Sequence, residues 1–469
     1  MSDVSSLPIL QNDPPELEKR LAAAEDRLDR IHQFSESVTA ALTHMLERLK
    51  DLEPITAWPG RFEKKLEDFR LVQTLAKASK IFPKTRTVVF VGRGYFGDNT
   101  KYAYLEFCAH ARNRNVAVHY LTDDPRQRAM LTTSGLPCLP CEPDEWTQED
   151  IRALFGARVV VLSDNFHPYC MRSPKAFGML QGAKTVQMWH GIPIKNIGLR
   201  YMVRADNVLL DELVASSGPF DAFVAPAEAA AGEWAEMFTF DKFAALGYPR
   251  NDVFFRDLTP SDRLNTDPAT MALFEDARRA RRPTILYAPT FRDDAASGWF
   301  DKADIGALAV HAREKGYALA VNLHPYEQRL QDLLRKRYPD MHFVEAGMDI
   351  YPVTKLADVL ITDYSSLAFD YLLTDRPLVF YRPDHEYYLS KSRGLIPGRE
   401  RFTPGAVATG MTELLRALDS AVNFARAPAT DSSRIERHGL RKQLFDHIDG
   451  NSSQRVCELI MDMIEADTH

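Results

Sequence analysis

One histidine, His190, stands where a proton acceptor can work. The run VQMWHGIPIKNIG at 186–198 places it after a short apolar stretch and before Gly191 and Pro193. This pattern is typical of a buried strand that ends at a loop, and such loops line the ligand crevice of open α/β sheets. Because the pKa of imidazole is about 6.5, the sequence favours His190 as a general base. A histidine that only packs beside Trp189 and bonds to the backbone stays an alternative.

The second half of the chain carries polar clusters that could hold phosphate groups. Arg250 stands in GYPRND, Arg292 in APTFRDD, and a second histidine, His324, in NLHP. The apolar run at 359–361 leads into TDYSS at 362–366, which begins a helical stretch. Free N–H groups at a helix start bind anions, and the guanidinium fork suits phosphate. Each cluster alone fits a helix cap or an ion pair, but together they indicate a diphosphate site.

Other motifs exclude common cofactors. The glycine-rich loop at 92–101, GRGYFGDNTK, lacks the spacing of the dinucleotide fingerprint and of the P-loop, so neither NAD nor ATP is expected. No D-x-D pair follows a predicted strand, and no metal is implied. Cys138 and Cys141 form a C-x-x-C without a second pair, which favours a proline-rich loop with incidental thiols over a metal or redox site.

Short β-rich runs, several of them separated by helix-like segments, must position these clusters. They lie at 87–91, 117–121, 159–162, 185–188, 222–225, 284–287, 318–323, 359–361 and 377–381. This alternation predicts parallel sheets covered by helices on both faces. We therefore expect two Rossmann-like domains, at 86–245 and 246–432, that face a central cleft.

The segments outside these domains are predicted to be helical. Residues 16–52 carry apolar side chains at alternating spacings of four and three, interrupted only by Ser35, which indicates a coiled coil over 1–53. A helix packed on its own catalytic domain is the alternative. Residues 54–85 form a basic amphipathic linker, for which an anionic membrane surface and a solvated face both stay open. Residues 433–469 form a helical tail.

Composition sets the broad class of the protein. The chain has 469 residues, of which 45% are apolar and 26% charged, as in a folded protein with two domains. The net charge of −7 gives no bulk reason to bind nucleic acid. Neither a membrane-spanning run nor a secretory signal is recognisable. A cytoplasmic location is expected.

The order of these motifs resembles that of a known family. QMWHGIPIKNIG, GYPRND, ILYAPTFRDD, NLHPYE and ITDYSSLAFDY, with VGRGYFGDNTKYAYLEF before them, are similar to motifs of the CDP-glycerol glycerophosphotransferases. The resemblance covers roughly residues 86–420 and implies a GT-B-like arrangement of the two domains. It also implies transfer of glycerol phosphate, or a related polyol phosphate, from a CDP-activated donor to a hydroxyl of a cell-surface polymer. CMP would be released in the synthesis of teichoic acid or capsule.

The resemblance also implies roles for individual residues. His190 would be the catalytic base, while His324, also catalytic, would hold the diphosphate with Arg250 and Arg292 and neutralise the charge of departing CMP. The further donor-binding positions are Asn251, Asp293, Thr362, Ser365, Ser366, Asp370, Tyr381 and Asp384. Asp98 and Lys195 would face the acceptor. No metal and no cofactor are required, since CDP-glycerol or CDP-ribitol is a substrate.

Partners and alternatives follow from the same resemblance. The acceptor would be a polymer or a lipid-linked saccharide, and the enzyme would form a homo-oligomer through the coiled coil, with peripheral contact at the inner face of the plasma membrane as an open alternative. A glycosyltransferase on the same scaffold is a second hypothesis, which would yield a glycosidic bond in place of a phosphodiester. A catalytically silent scaffold is a third, but the joint presence of both histidines and both arginines opposes it.

Overall fold

A computed structural model describes residues 58–166, 173–202, 216–292, 303–324, 327–339, 341–391, 395–399, 402–428 and 431–466. The predicted coiled coil at 1–53 and the predicted donor ligand Asp293 lie outside these residues. The first described helix is α1 (Trp58–Ile81). In the described ranges, no helix is both long enough and apolar enough to cross a membrane.

In the described part of the chain, seven parallel strands form the sheet of a first lobe, in the order β3-β2-β1-β4-β5-β6-β7. These strands are β1 (Thr87–Val91), β2 (Ala117–Thr122), β3 (Cys138–Pro140), β4 (Ala157–Leu162), β5 (Lys184–Gln187), β6 (Phe220–Ala225) and β7 (Phe240–Ala245). The helices between them are α2 (Asp98–Ala111), α3 (Pro125–Thr133), α4 (Gln148–Gly156), α5 (Pro174–Leu180), α6 (Gly198–Met202) and α7 (Ala231–Ala235).

Among the described residues that follow, six parallel strands form the sheet of a second lobe, in the order β10-β9-β8-β11-β12-β13. They are β8 (Thr284–Ala288), β9 (Ala318–Val321), β10 (His342–Phe343), β11 (Val359–Thr362), β12 (Leu378–Tyr381) and β13 (Ala406–Ala408). The helices are α8 (Pro268–Arg279), α9 (Ile305–Glu314), α10 (Gln328–Arg337), α11 (Tyr351–Leu356), α12 (Leu367–Tyr371), α13 (His385–Lys391) and α14 (Met411–Arg426), followed by α15 (Arg434–Leu444) and α16 (Ser452–Glu465).

The two sheets share one topological feature that locates the site. In the first lobe β1 lies between β2 and β4, and in the second β8 lies between β9 and β11. The strand order therefore reverses beside β1 and beside β8. Ligands of open α/β sheets bind outside the carboxyl ends of the strands at such switch points. The loops after these central strands, and after their neighbours β5, β9 and β12, are therefore the ones expected to build a site.

The central strands form where the sequence predicts them. All five residues of β1 are buried, as are those of β8, and such continuous apolar runs are typical of parallel strands covered on both faces. The prediction of two α/β domains is confirmed. The boundary between 245 and 246 stays a prediction.

The sequence analysis missed four strands, and they are the four outer strands of the two sheets: β3, β7, β10 and β13. An outer strand pairs on one side only, so its sequence carries less of the apolar signal. The C-x-x-C segment illustrates this. It was expected to be a loop, but Cys138–Pro140 pairs with Tyr120–Thr122 of β2. Proline is compatible with an edge strand because its missing N–H is not needed there.

The two lobes share an apolar cluster. Tyr102 and Ile192 of the first lobe pack in one buried group with Tyr248, Phe274 and Leu367. The buried Lys101 of the first lobe adds a polar contact with Asp349 of the second. The two lobes are therefore in direct contact through buried side chains.

The last helix returns to the first lobe. Val456, Ile460 and Ile464 of α16 lie in the same buried cluster as Phe90 and Phe107 of the first lobe. The chain therefore visits the first lobe, then the second, and ends on the first.

Residues 70–81 of α1 pack on the first lobe. The Ser79 hydroxyl donates to the carbonyl of Met179 and accepts from the N–H of Gly182. Lys77 and Lys80 are exposed. Their exposure is compatible with both interpretations of this stretch, a solvated face and an anionic membrane surface.

Candidate active site

His190 follows β5 and is held in a defined orientation. Its Nδ1 lies 3.2 Å from the carbonyl oxygen of Ser163 and 3.6 Å from Oδ1 of Asp164. The ring stacks on Trp189 with 4.2 Å between centroids. Because a carbonyl oxygen only accepts, we assign the hydrogen to Nδ1, which leaves Nε2 as the acceptor. The imidazole is thus oriented as a base.

The surroundings of His190 keep it neutral. Burial lowers the pKa of His190 well below its ordinary value of 6.5, and the positive charges of Arg93 and Arg250 lower it further, while Asp98 and the Ser163 carbonyl act in the opposite direction. The side chain still retains 26% of its exposure, so a substrate hydroxyl can reach it. A neutral, reachable imidazole is what a general base requires.

The His190 loop touches the TDYSS turn of the other lobe. Gly191 has φ +140°, and a Cβ built on it would lie 2.7 Å from Oγ of Ser366 and 3.0 Å from Nη2 of Arg250. Such a separation is possible only because glycine has no side chain. The candidate base and the predicted phosphate-binding turn therefore share one cleft.

We expect Gly191→Ala to lower kcat about tenfold or more, because the added methyl would force the His190 loop away from Ser366 and because an L residue is strained at this φ. Steady-state kinetics would measure the effect. The matched control is Gly232→Ala, since a Cβ at Gly232 meets no neighbouring atom. Equal rates for both variants would contradict the close approach.

Arg250 lies in a 3-10 helix, Pro249–Phe255, and links the two lobes. Its Nη1 lies 2.6 Å from Oδ1 of Asp98, and its Nη2 lies 2.7 Å from Oδ2 of Asp370. Asn251 donates to Oδ1 of Asp370 at 3.0 Å, and Tyr351 donates to Oδ2 at 2.7 Å. The guanidinium is 1% exposed. Arg250, Asn251, Asp370 and Asp98 were expected to contact substrate. The structure pairs them with one another, and those substrate contacts stay predictions.

Asn99 connects this network to the base. Its amide nitrogen donates to the Trp189 carbonyl at 2.9 Å, and its amide oxygen accepts from the backbone N–H of Arg250 at 3.3 Å. Burial would raise the pKa of Asp98, but Arg250 and Arg93 outweigh it and hold that pKa below its ordinary value. The Asp98 carboxylate is therefore ionised. Asn99 is thus bonded both to the backbone of Arg250 and to the His190 loop.

A second buried arginine, Arg292, pairs with carboxylates at the switch point of the second lobe. Nε and Nη2 of Arg292 lie 2.8 and 2.9 Å from the two carboxylate oxygens of Asp384, and Nη1 lies 2.8 Å from Oδ2 of Asp363. Asp363 also accepts from the N–H of Thr290 at 2.8 Å. The loops after β8 and β11 are thereby joined. Arg292 and Asp384 were expected to bind the donor, and that contact stays a prediction.

Two other residues expected to bind the donor, Thr362 and Tyr381, make hydrogen bonds within the second lobe. The Thr362 hydroxyl donates to the carbonyl of Ala288 at 2.7 Å, and the Tyr381 hydroxyl donates to the carbonyl of Ala303 at 3.1 Å. Both side chains are buried. Their hydroxyl protons are used by the protein, and the donor contacts expected of these two residues stay predictions.

Three predicted residues present partly exposed side chains: His324, Ser365 and Ser366. The His324 ring lies 5.5 Å from that of Phe291, centroid to centroid. Ser365 and Ser366 precede α12, and the Ser365 hydroxyl accepts from the N–H of Leu367 at 3.3 Å. Of the expected donor ligands described above, these three combine exposure with a position at the carboxyl ends of strands.

Lys195 lies against the second lobe. Its Nζ lies 5.1 Å from the centre of the Tyr388 ring, and its predicted place on the acceptor side stays a prediction. The backbone supports this placement, since the N–H of Ile396 donates to the carbonyl of Ile194 at 2.8 Å. Lys195 therefore contacts the lobe that was expected to hold the donor.

Several residues of the site were not found from the sequence. Arg93 follows β1, and Ser163 and Asp164 follow β4, at the switch point of the first lobe. Lys101 is fully buried, with Nζ 2.6 Å from Oδ2 of Asp349 in the second lobe. The sequence does contain a signal for Arg93, Ser163 and Asp164, because each lies directly after the end of a strand or one residue further on. The partner of Lys101 lies 248 residues away, and no local pattern indicates it.

Comparisons with known proteins agree with this architecture. The sequence profile of the CDP-glycerol:poly(glycerophosphate) glycerophosphotransferases matches residues 75–462. A teichoic acid ribitol-phosphate primase of Bacillus spizizenii is 28% identical over 319 residues, 66% of this chain and 75% of that protein. A teichoic acid glycerol-phosphate transferase of Staphylococcus aureus is 29% identical over 288 residues, 59% of this chain and 70% of that protein.

A solved structure shares the fold. The wall teichoic acid polymerase TagF superposes with a TM-score of 0.63 at 20% sequence identity, covering 87% of this chain and 99% of that one. At this identity the likeness concerns the fold. It supports the two-domain arrangement that the sequence resemblance implied.

Proposed function

Since this chain belongs to the CDP-glycerol:poly(glycerophosphate) glycerophosphotransferase family, we propose that its cleft transfers a polyol phosphate from a CDP-activated donor to a hydroxyl of a surface-polymer acceptor. CMP is the leaving group. The chain is a member of a transferase family, and the curated relatives act in teichoic acid synthesis by their names. Those names include both ribitol phosphate and glycerol phosphate, so the proposal covers either polyol.

The observation that carries the proposal is the contact between the His190 loop and Ser366. Nε2 of His190 takes the proton of the acceptor hydroxyl, and the oxygen attacks the phosphorus that bears the polyol. The new P–O bond forms as the bond from that phosphorus to the bridging oxygen of CMP breaks. Such a transfer depends mainly on positioning and on electrostatic stabilisation.

We assign the diphosphate to the partly exposed groups of the second lobe, His324, Ser365 and Ser366. Hydroxyl groups and backbone N–H groups donate hydrogen bonds to phosphate oxygens, and protonated His324 would offset the charge on departing CMP. Arg250 and Arg292 act indirectly. Their guanidinium nitrogens bind carboxylates of the protein, and these ion pairs hold the surrounding loops together.

A product assay tests the function. The purified protein is incubated with an acceptor and with CDP-glycerol, CDP-ribitol or a nucleotide sugar, and released nucleotide and product linkage are measured. We expect CMP and a new phosphodiester with at least one CDP-polyol. A glycosidic bond formed from a nucleotide sugar would instead support the glycosyltransferase hypothesis, and no release from either CDP-polyol would refute the proposal.

We also propose that residues 1–53 join copies of the chain and that the enzyme works at the inner face of the plasma membrane. The apolar seam at 16–52 supports the first part and the exposed Lys77 and Lys80 the second. Deletion of residues 1–53 is expected to lower the mass per particle in sedimentation while transfer activity remains. An unchanged mass would refute the coiled coil.

The membrane contact is tested by flotation. Vesicles with anionic lipid are expected to bind the full chain, and a variant with Lys77→Ser and Lys80→Ser is expected to bind less. Equal binding of both proteins, or equal binding to neutral vesicles, would refute a contact made through this basic face.

A further inference from the structure

Arg93 differs from the other two arginines of the site. Its side chain is 28% exposed, whereas those of Arg250 and Arg292 are 1% and 3% exposed. Its Nε lies 3.4 Å from Oδ2 of Asp164, and its Nη1 lies 3.6 Å from Oδ2 of Asp98. Charge-assisted hydrogen bonds are usually about 2.7–2.9 Å long. Arg93 is therefore held loosely between two carboxylates and is partly exposed.

We propose that Arg93 binds a phosphate oxygen of a substrate beside His190. The proposal deepens the transferase function and rests on it. A planar guanidinium with donors left over is suited to phosphate, and a phosphate that approaches it is placed next to the imidazole. The same oxygens could belong to the donor diphosphate or to a phosphate of the acceptor.

The contact between Arg93 and Asp164 is one that a phosphate could replace. Arg93 stands at the switch point of the first lobe, between the loops after β1 and β4. Asp164 is itself 32% exposed, so a phosphate can displace its loose contact without leaving a buried charge unpaired. Arg250 could not be released in this way, because Asp98 and Asp370 are both almost fully buried.

The glycines beside Arg93 hold its loop close to the sheet. A Cβ on Gly92 would lie 1.9 Å from the Tyr120 hydroxyl oxygen, and Gly94 has φ +82°. Both line a small pocket with Tyr95, Thr122 and other residues of the β1 and β2 ends. The backbone of this loop therefore packs closely against Tyr120 of β2, next to Arg93.

Arg93 has a second effect, through charge. It lowers the pKa of His190, as does Arg250, while Asp98 raises it; Asp164 is the other charged group facing the ring. Removing the Arg93 charge therefore raises the pKa of His190 towards 6.5. Because the base acts in its neutral form, the acid limb of the rate profile moves to higher pH. A residue with a purely structural role would not move this limb.

The experiment compares Arg93→Gln, Arg93→Lys and the control Arg112→Gln, an exposed arginine at the end of α2. Wild-type release of CMP from CDP-glycerol is established first, so that failure of the function itself is seen separately. We expect Arg93→Gln to raise the KM of one substrate about tenfold or more and to shift the acid limb upward. Arg93→Lys should keep the limb and recover part of the KM.

The substrate whose KM rises identifies the phosphate. A rise for CDP-glycerol alone assigns Arg93 to the donor diphosphate, and a rise for the acceptor alone assigns it to an acceptor phosphate. The proposal is overturned if both KM values of Arg93→Gln stay within about twofold of the wild type, as those of Arg112→Gln should. The proposal is also overturned if two results occur together. These are a KM rise in Arg93→Gln that Arg93→Lys does not reduce, and an acid limb of Arg93→Gln that stays at the wild-type pH.

Discussion

Replacing His190 with alanine is expected to lower kcat by about 10²- to 10⁴-fold, the usual contribution of a general base. The imidazole is oriented through Nδ1 towards the Ser163 carbonyl and is neutral, so its Nε2 is the acceptor for the proton of the attacking hydroxyl. Binding of CDP-glycerol should remain close to that of the wild type, because the donor is assigned to the second lobe. Single-turnover kinetics and calorimetric binding would measure the two effects.

A matched control for this variant is His110→Ala. His110 lies on α2 of the same lobe and bonds to Arg114, outside the cleft. It should leave kcat within about twofold of the wild type. Retention of more than about a tenth of the wild-type rate in His190→Ala would remove the base assignment, since so small a loss is less than general-base catalysis supplies.

Arg250→Met is expected to lower the free energy of unfolding by about 3–5 kcal/mol, because it removes one cation and leaves the buried Asp98 and Asp370 carboxylates without their ion pair. Activity should fall as well, because the Arg250 guanidinium lies beside the His190 loop, where a Cβ on Gly191 would come within 3.0 Å of Nη2. A urea titration followed by far-UV circular dichroism would measure the change in stability.

Arg263→Met is the comparison for this loss. Arg263 pairs with Glu275 at 2.6 Å, but its side chain is 42% exposed. Exposed pairs contribute about 0–1 kcal/mol, so this variant should unfold close to the wild type. If Arg250→Met were no less stable than Arg263→Met, the buried network would not hold the lobes together.

The charged residues of the candidate site fall into a buried set and a partly exposed set. Arg250 and Arg292 are buried, and a buried charge is stable only when it is paired, so each is surrounded by carboxylates. Arg93, His190 and His324 are partly exposed and can meet substrate. Residue type alone does not separate the two sets, because a guanidinium that binds phosphate and one that binds carboxylate use the same donors.

The sequence by itself determined the two α/β blocks, the central strands and the loops that carry the chemistry. The continuous apolar runs of β1, β8 and β11 are a local signal, since each such strand is covered on both faces. The position of His190 after β5 follows from the same signal. The order of the motifs implied the family, and the profile match at 75–462 agrees.

Only the tertiary structure decided how the charged groups are paired and where the sheets end. Asp98 and Arg250 are separated by 152 residues and Arg250 and Asp370 by 120, so no spacing in the sequence announces their contacts. The outer strands β3, β7, β10 and β13 carry too little apolar signal because they pair on one side only. Local patterns determine burial, whereas the partner of a buried charge is chosen by the packing of one lobe against the other.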